Sequence, residues 1–388
     1  MLSIKTRQLV EGATKLVVPE SDAPLKYPSF FNLQGKFVRD VSIICYRSYV
    51  SLFSNNRWKT ENDLTFADCL SGVGARGIRV ATEVSEFAKI FLNDISSVSI
   101  ELGKISARSN GVEDRCVFSQ KEVSSFLSTR DENKGERFDA LDLDPFGTPS
   151  PFVDNALKAT KHGGILSVSA TDTAVLCGIY PRVAQRKYLG LPLRTDYSHE
   201  IGIRLLFGLL SMTAMRSEAS IKPLFAHHDK HYFRAYSLVQ IGNSYSRQNE
   251  EEIGYVLHCF KCGSRRIVPQ FVFYVDPGSE LHCSDCDNKI MKFAGPLWIG
   301  CVQSTEFVEN CFKISDLPVF RAELDIPLYF DLATMADELE IRTPKIDSVI
   351  SRLNSTGHSA SRTRLNPTAV RTEASFGDLQ KILRELVR

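Results

Sequence analysis

The sequence predicts an α/β fold: a Rossmann-like parallel sheet with helices on both faces, then a smaller α+β C-terminal domain carrying a zinc-ribbon-like pair of cysteine hooks and a winged-helix-like end. Three observations predict it. Short apolar runs alternate with helix-length stretches from Leu64 to about Ile241, the pattern of a parallel sheet covered on both sides. A glycine-rich turn, Ser71-Gly72-Val73-Gly74-Ala75-Arg76-Gly77, joins the first apolar run to the first helical stretch. Beyond a polar stretch at Gly242–Glu252 lie two Cys-x-x-Cys hooks and a helical last sixty residues or so. The polar stretch marks a boundary, giving domains 1–245 and 246–388.

The elements follow in order. Leu16-Val17-Val18 reads as a short strand, and Val41–Phe53 has helical spacing. Leu64–Leu70 is a strand, Ala75–Val84 a helix, Lys89–Asn93 a strand and Val98–Ser109 a helix. Phe138–Leu143 and Gly164–Ala170 are strands flanking a helix at Phe152–Thr160; Ile201–Met215 is an apolar helix, and Arg234–Ile241 a late strand. In the C-terminal domain Phe271–Val275 reads as a short β-like run. Asp331–Leu339 places Leu332, Met335, Ala336 and Leu339 on one helical face. Thr343-Pro344 opens a further helix, with Thr343 as cap and Pro344 at the first helical position, and Gly357 and a basic Ser361–Arg371 segment complete the winged-helix-like pattern.

Composition excludes some classes. At 388 residues and 43% hydrophobic content the chain buries large cores. No apolar run approaches the roughly 20 residues of a membrane span, and Met1–Arg7 leads into no signal-like core, so a soluble cytoplasmic protein is expected. The net charge of +1 announces no nucleic-acid partner, but it is uneven: Arg182–Arg234 and Arg342–Arg388 each hold nine Lys/Arg against four Asp/Glu. Local basic patches of this kind serve phosphate binding or are plain solvated surface. His227, His228 and His231, with Lys230, Tyr232, Phe233 and Arg234, read as a basic-aromatic surface segment.

The glycines Gly72, Gly74 and Gly77 after a strand allow a tight turn and close backbone approach, while the helix start supplies N–H groups. Asp94, seventeen residues past Gly77 at a strand end, is placed to accept both hydroxyls of a ribose. Together they point to an adenosine-bearing cofactor and do not separate a dinucleotide from S-adenosylmethionine. Asp144-Pro145-Phe146 separates them. Methylation of an exocyclic amine is slow because the nitrogen lone pair is delocalised into the ring. The Asp144 carboxylate and the Pro145 carbonyl are an acceptor pair for the N–H groups, and Phe146 is a ring for stacking; orientation and electrostatics are the available catalysis. The competing reading is a strand-ending Asp-Pro turn with Phe146 in the core. Asp142 lies on the same side of its strand as Asp144 and assists it or orients a loop.

Six of the ten cysteines are scattered as buried free thiols are. Cys259, Cys262, Cys283 and Cys286 instead form two hooks twenty residues apart, the ligand set of a closed, structural zinc site. His258 and His282 flank the hooks and read as surface residues.

These residues resemble the tRNA (guanine-N2)-dimethyltransferase family, the archaeal and eukaryotic enzymes that dimethylate guanosine 26. The resemblance runs over nearly the whole chain: Glu11-Gly12 with Leu16–Pro19, Phe30-Phe31-Asn32, Arg39-Asp40, Ser71–Arg79, Asn93-Asp94, Asp142–Pro149 and the cysteine-bearing C-terminal domain. It implies a class I methyltransferase sheet, tRNA as partner, and S-adenosylmethionine contacted by Arg39, Arg76 and Asp94, with Asp144 central to catalysis. The family often has Asn-Pro where this chain has Asn32-Leu33, and its Asp-Ala contact on the adenine side aligns with Glu122-Val123, where Glu keeps the acceptor with longer reach.

Two other classes compete. A nicotinamide-dependent dehydrogenase uses the glycine loop and Asp94 but leaves Asp144-Pro145-Phe146 without a task. A non-catalytic nucleic-acid-binding protein has no reason to keep both acids and that trio. Among methyltransferases an adenine-N6 enzyme is the nearest rival, and the family resemblance argues against it.

Overall fold

The computed structural model describes residues 4–20, 29, 31–54, 64–132, 137–229, 231–275, 281–288 and 290–387; Phe30 and Lys230 lie outside them. The chain forms two compact units: Met1–Ser169 with Tyr236–Gln240 and Glu309–Asp316, and Ala170–Ala235 with Ile241–Val308 and Leu317–Arg388. This division differs from a break near residue 245. The polar stretch there folds as a helix, Asn243–Glu251, because Asn249 turns inward and donates to Ser211 Oγ and Ile221 O, each at 3.1 Å.

The first unit opens with a hairpin of β1 (Thr6–Glu11) and β2 (Thr14–Pro19). Only the second of these was legible as a strand. Helix α1 (Lys36–Tyr49) follows. The parallel strands are β3 (Leu64–Asp68), β4 (Phe87–Asn93), β5 (Cys116–Ser119), β6 (Phe138–Leu143) and β7 (Thr160–Ala170). Helices α2 (Ala75–Glu83), α3 (Ser97–Ser109), α4 (Val123–Glu132) and α5 (Val153–Ala159) connect them. With β8 (Ala219–Asp229) and β9 (Tyr232–Ile241) the sheet order is β5-β4-β3-β6-β7-β9-β8. All six residues of β6 are buried, as expected for a parallel strand covered on both faces.

This order positions the site. From β3 the chain steps to β4 on one side and later to β6 on the other, and a crevice opens at such a reversal outside the carboxyl ends. Asp68, the last residue of β3, pairs with Leu92 of β4 and with Asp142 of β6. Acids at three adjacent strand ends, Asp68, Asp94 and Asp142–Asp144, therefore gather around one crevice.

The second unit holds the apolar helix Ser198–Met215, a sheet of β10 (Ile253–His258), β11 (Arg265–Pro269) and β12 (Lys292–Trp298) in the order β11-β10-β12, and a terminal cluster. In that cluster the helices Leu332–Glu338, Ile346–Ser355 and Phe376–Val387 pack with β13 (Phe330–Asp331), β14 (Ala360–Thr363) and β15 (Asn366–Thr372). Their shared core includes Leu332, Met335, Val349, Leu353, Val370 and Leu383.

Several expectations are corrected here. Phe271–Val275 belongs to a helix, Gln270–Val275; Phe273 is buried and stacks on Tyr255 at 4.2 Å, while Phe271 and Tyr274 face outward. The later helix is capped by Lys345, not Thr343, with Thr343 kept out of helical geometry by the following proline. His227 and Arg234 are buried within strands instead of forming a surface segment. His258 is buried too, its Nδ1 2.9 Å from the Tyr197 hydroxyl. Most consequentially, Arg364 and Arg371 of the basic tail are not a solvated patch. Arg371 lies 2.9 Å from Glu200 and 3.3 Å from Glu323, and Arg364 lies 2.5 Å from Glu323.

Candidate active site

The glycine loop leaves β3 with Gly72 and Gly74 both left-handed, at φ 52° and 78°, conformations that cost other residues free energy. A Cβ on Gly77 would stand 2.8 Å from Leu92, so the turn also packs α2 tightly on the sheet. Asp94 secures the loop from the next strand. Its Oδ2 accepts the Gly72 N–H at 2.8 Å and its Oδ1 accepts the Ser96 N–H at 2.8 Å. Each carboxylate oxygen has a second lone pair for a hydroxyl. Asn93 knits the floor below: Nδ2 donates to Cys69 O and Lys121 O, while Oδ1 accepts from Ser119 Oγ and Lys121 N.

Asp68 is a site residue that sequence patterning missed; the signal was a lone acid in an apolar strand directly before the glycine turn. It is buried and accepts the Gly77 N–H at 3.1 Å. Burial, then the charge of Asp142, pushes its carboxyl up to about 7, with Arg76 and the Gly77 N–H opposing and Asp144 reinforcing.

Arg76, in the first turn of α2, bridges two acids. Nη1 donates to Asp142 Oδ1 at 2.7 Å and Nη2 to Asp144 Oδ2 at 2.6 Å. Asp142 is fully buried, whereas the Asp144 side chain is 30% exposed. Pro145 is buried and Phe146 is 81% exposed. The core-packed reading of Phe146 is therefore excluded, and a partly exposed acid and an outward ring stand just beyond the carboxyl end of β6.

Arg39 is buried on α1. Its Nε and Nη2 meet Glu11 Oε2 and Oε1 at 2.7 and 2.6 Å, and its guanidinium lies 4.7 Å from the centre of the Phe31 ring. Glu122 is exposed and caps α4, accepting the Ser125 N–H at 3.0 Å; the Ser124 N–H foremost, over slight burial, and then that of Ser125 hold its carboxyl below the usual range. Val123 beside it is buried.

The second unit brings the four hook cysteines together. All four sulfurs lie within 4.8 Å of one another, with Cys259–Cys286 at 3.6 Å and Cys262–Cys283 at 3.7 Å. These are far beyond a disulfide, but they match the edge of about 3.8 Å that Zn–S bonds of about 2.3 Å imply for a tetrahedron. Each hook ends on a left-handed residue, Gly263 at φ 76° and Asp287 at φ 54°. Asn288 Nδ2 donates to Cys259 Sγ at 3.4 Å. The donor set and its spacing fit a structural zinc ion.

The chain is similar to known proteins over nearly its whole length. The profile of the family described as N2,N2-dimethylguanosine tRNA methyltransferase matches residues 10–384. The tRNA (guanine(26)-N(2))-dimethyltransferases of Methanothermobacter thermautotrophicus and Methanosarcina mazei are each 32% identical to this chain, over 97% of it and 98% of their own length. Among solved structures, the complex of Trm1 from Pyrococcus horikoshii with S-adenosyl-L-methionine superposes with a TM-score of 0.82 at 28% identity, covering 97% of this chain and 99% of that one.

Proposed function

The chain belongs to the N2,N2-dimethylguanosine tRNA methyltransferase family, and from that premise we propose how its own residues perform the reaction. It is an S-adenosylmethionine-dependent tRNA methyltransferase acting on the exocyclic N2 of guanosine 26. The observation that carries the residue assignment is the grouping of Asp144, Pro145 and the outward Phe146 at the strand-order reversal, beside the Gly72–Gly77 turn.

S-adenosylmethionine supplies an electrophilic methyl group on sulfur. Gly72 and Gly74 leave backbone room for it, Asp94 accepts the ribose hydroxyls, and Glu122 and Val123 border the adenine side. Arg39 and Arg76 set the charge around the methionine end. The guanine leaves the tRNA stack, as a base must to be modified, and Phe146 stacks on it. The Asp144 carboxylate and the Pro145 carbonyl accept the N2 hydrogens and turn the lone pair toward the methyl group. The carbon–sulfur bond would break as the carbon–nitrogen bond forms, with the Asp144 carboxylate taking the amine proton and the Pro145 carbonyl only orienting the N–H. A second round needs room for the first methyl group at the same acceptors.

Residues 1–245 carry this chemistry and 246–388 grip tRNA. For the grip we read the terminal cluster as a winged-helix-like module, supported by its two helices followed by a β-hairpin. The cysteine hooks form a zinc-ribbon-like element in which Zn2+ is structural, supported by the sulfur spacing. No helix among the described residues is long and apolar enough to cross a membrane, and we infer a cytoplasmic location.

The test is to incubate the protein with labelled S-adenosylmethionine and unmodified tRNA transcripts, then digest and identify the nucleoside. N2-methylated guanosine that vanishes when guanosine 26 is replaced by adenosine is expected. Methyladenosine instead would overturn the base assignment.

A further inference from the structure

Asp142 has no place in the reaction as written: it is fully buried behind Asp144. A carboxylate there is costly unless all of its lone pairs are engaged. Here groups from three separate elements reach its two oxygens. Oδ1 accepts Arg76 Nη1 from α2 at 2.7 Å. Oδ2 accepts the hydroxyl of Tyr46 from α1, and the Ser167 hydroxyl of β7 lies 2.9 Å from the same oxygen. Tyr46 and Ser167 are themselves in contact, oxygen to oxygen, at 2.5 Å.

Tyr46 is held rigidly for this task. It is completely buried, and its ring meets Phe66, Phe87 and Tyr236 edge-on at 5.0, 6.5 and 6.4 Å. Its hydroxyl could not shift without moving that aromatic box. Asp142 is therefore anchored on one side by rigid core groups and presents its other oxygen to Arg76. The guanidinium is a planar fork. With Nη1 held by Asp142, the direction of Nη2 is set, and Nη2 is the group that reaches Asp144.

We propose that Asp142, braced by Tyr46 and Ser167, is a positioning residue for methyl transfer: it orients Arg76, and through Arg76 the Asp144 carboxylate that faces the amine. The proposal rests on the assignment of Asp144 above. A buttress of this kind acts on the geometry of transfer more than on the affinity for either substrate, since misplacement of a catalytic group by about 1 Å costs on the order of 100-fold in rate.

The experiment compares Tyr46→Phe, Ser167→Ala and Asp142→Asn with the parent enzyme, alone and in an Arg76→Lys background. Expected are kcat losses of about 10-fold for Y46F and about 100-fold for D142N, in line with other residues that orient a functional group, with KM for tRNA within about twofold and any rise in KM for S-adenosylmethionine smaller than the loss in kcat, since Arg76 also borders the methionine end. In the R76K background Y46F should cost almost nothing more, because its effect passes through that arginine. Parental kcat in Y46F and D142N would overturn the proposal. So would losses that multiply in full with R76K, or a rise in KM for S-adenosylmethionine with kcat unchanged. Should Y46F fold poorly, S167A reads the same link with a smaller perturbation. Asp144→Ala is measured alongside: turnover by D144A would reject the Asp144 assignment itself, whereas inactive D144A with fully active Y46F and D142N would reject only the buttress.

Discussion

Asp68 and Gly77 meet across the glycine turn, the carboxylate of the first holding the N–H of the second at 3.1 Å. The contact is made by an acid whose charge is disfavoured where it sits. Its carboxyl is raised to about 7 from 3.8, so between those values the folded chain holds a proton that the unfolded chain has released. That contribution to stability is fully present below 3.8 and is lost as the pH rises through about 7. Asp68→Asn mimics the protonated form. The parent should therefore lose more stability between pH 5 and pH 8 than D68N, by a few kcal/mol, since each pH unit spanned counts for about 1.4 kcal/mol. Denaturant unfolding of both proteins at the two pH values measures the difference, and parallel pH dependences would contradict the assignment.

Asp144→Ala should reduce kcat by at least about 100-fold, the scale of lost electrostatic preorganisation. Affinity for S-adenosylmethionine should stay within about threefold, because the glycine turn and Asp94 are untouched. Single-turnover methylation and equilibrium binding together separate the two effects.

Cys259→Ala removes one of four sulfurs that stand at tetrahedral spacing. Zinc content should fall from one equivalent per chain toward none, and the second unit should melt earlier. Binding of S-adenosylmethionine should persist. Zinc retained at full stoichiometry by the variant would exclude a four-thiolate site.

Glu200→Gln tests the buried charges that the basic tail turned out to supply. Burial disfavours the Glu200 anion, but Arg371 and Arg204, with the Leu328 N–H, outweigh it and hold the carboxyl at about 2. Its stabilising contribution is present above 4.5 and is lost as the pH falls through about 2. The substitution takes away the acid paired with Arg204 and leaves Arg371 with Glu323, and it should cost roughly 3–5 kcal/mol at neutral pH. Chemical unfolding of full-length E200Q against the parent measures it.

Binding of tRNA should weaken steeply with salt, and the residues responsible should be Arg342, Lys345 and Arg384, which remain exposed. Arg352 and Arg362 pair with Glu385 and Asp347 at the surface, and Arg364 and Arg371 are spent inside the fold. Replacing the first three by Ala should lower the slope of log K against log salt by up to about 0.9 for each phosphate that is no longer neutralised. An unchanged slope would move the grip elsewhere.

The parallel sheet was legible because its strands carry their own signal: Phe138–Leu143 is apolar except for its acids, and it runs on into a proline. Asp94 and the glycine turn were legible for the same reason, since backbone geometry demands particular residues there. Partners in space were not. Nothing local in Arg39 announces Glu11, and nothing in Asp142 announces Tyr46, because these pairings depend on how distant elements pack. Phe271–Val275 misled because an aromatic and β-branched run suits a strand, while only tertiary contacts decide that Phe273 faces inward from a helix. The basic tail misled because a count of arginines is blind to burial.

The four hydrogen bonds of Asn93 tie Cys69, Ser119 and Lys121 into one floor beneath the glycine turn. That floor is built from hydrogen bonds within the protein. Ordering entropy is thus lost as the chain folds and not at each encounter with a small molecule. The recess should consequently receive its donor and discharge the spent thioether with little rearrangement of Asn93 and its partners.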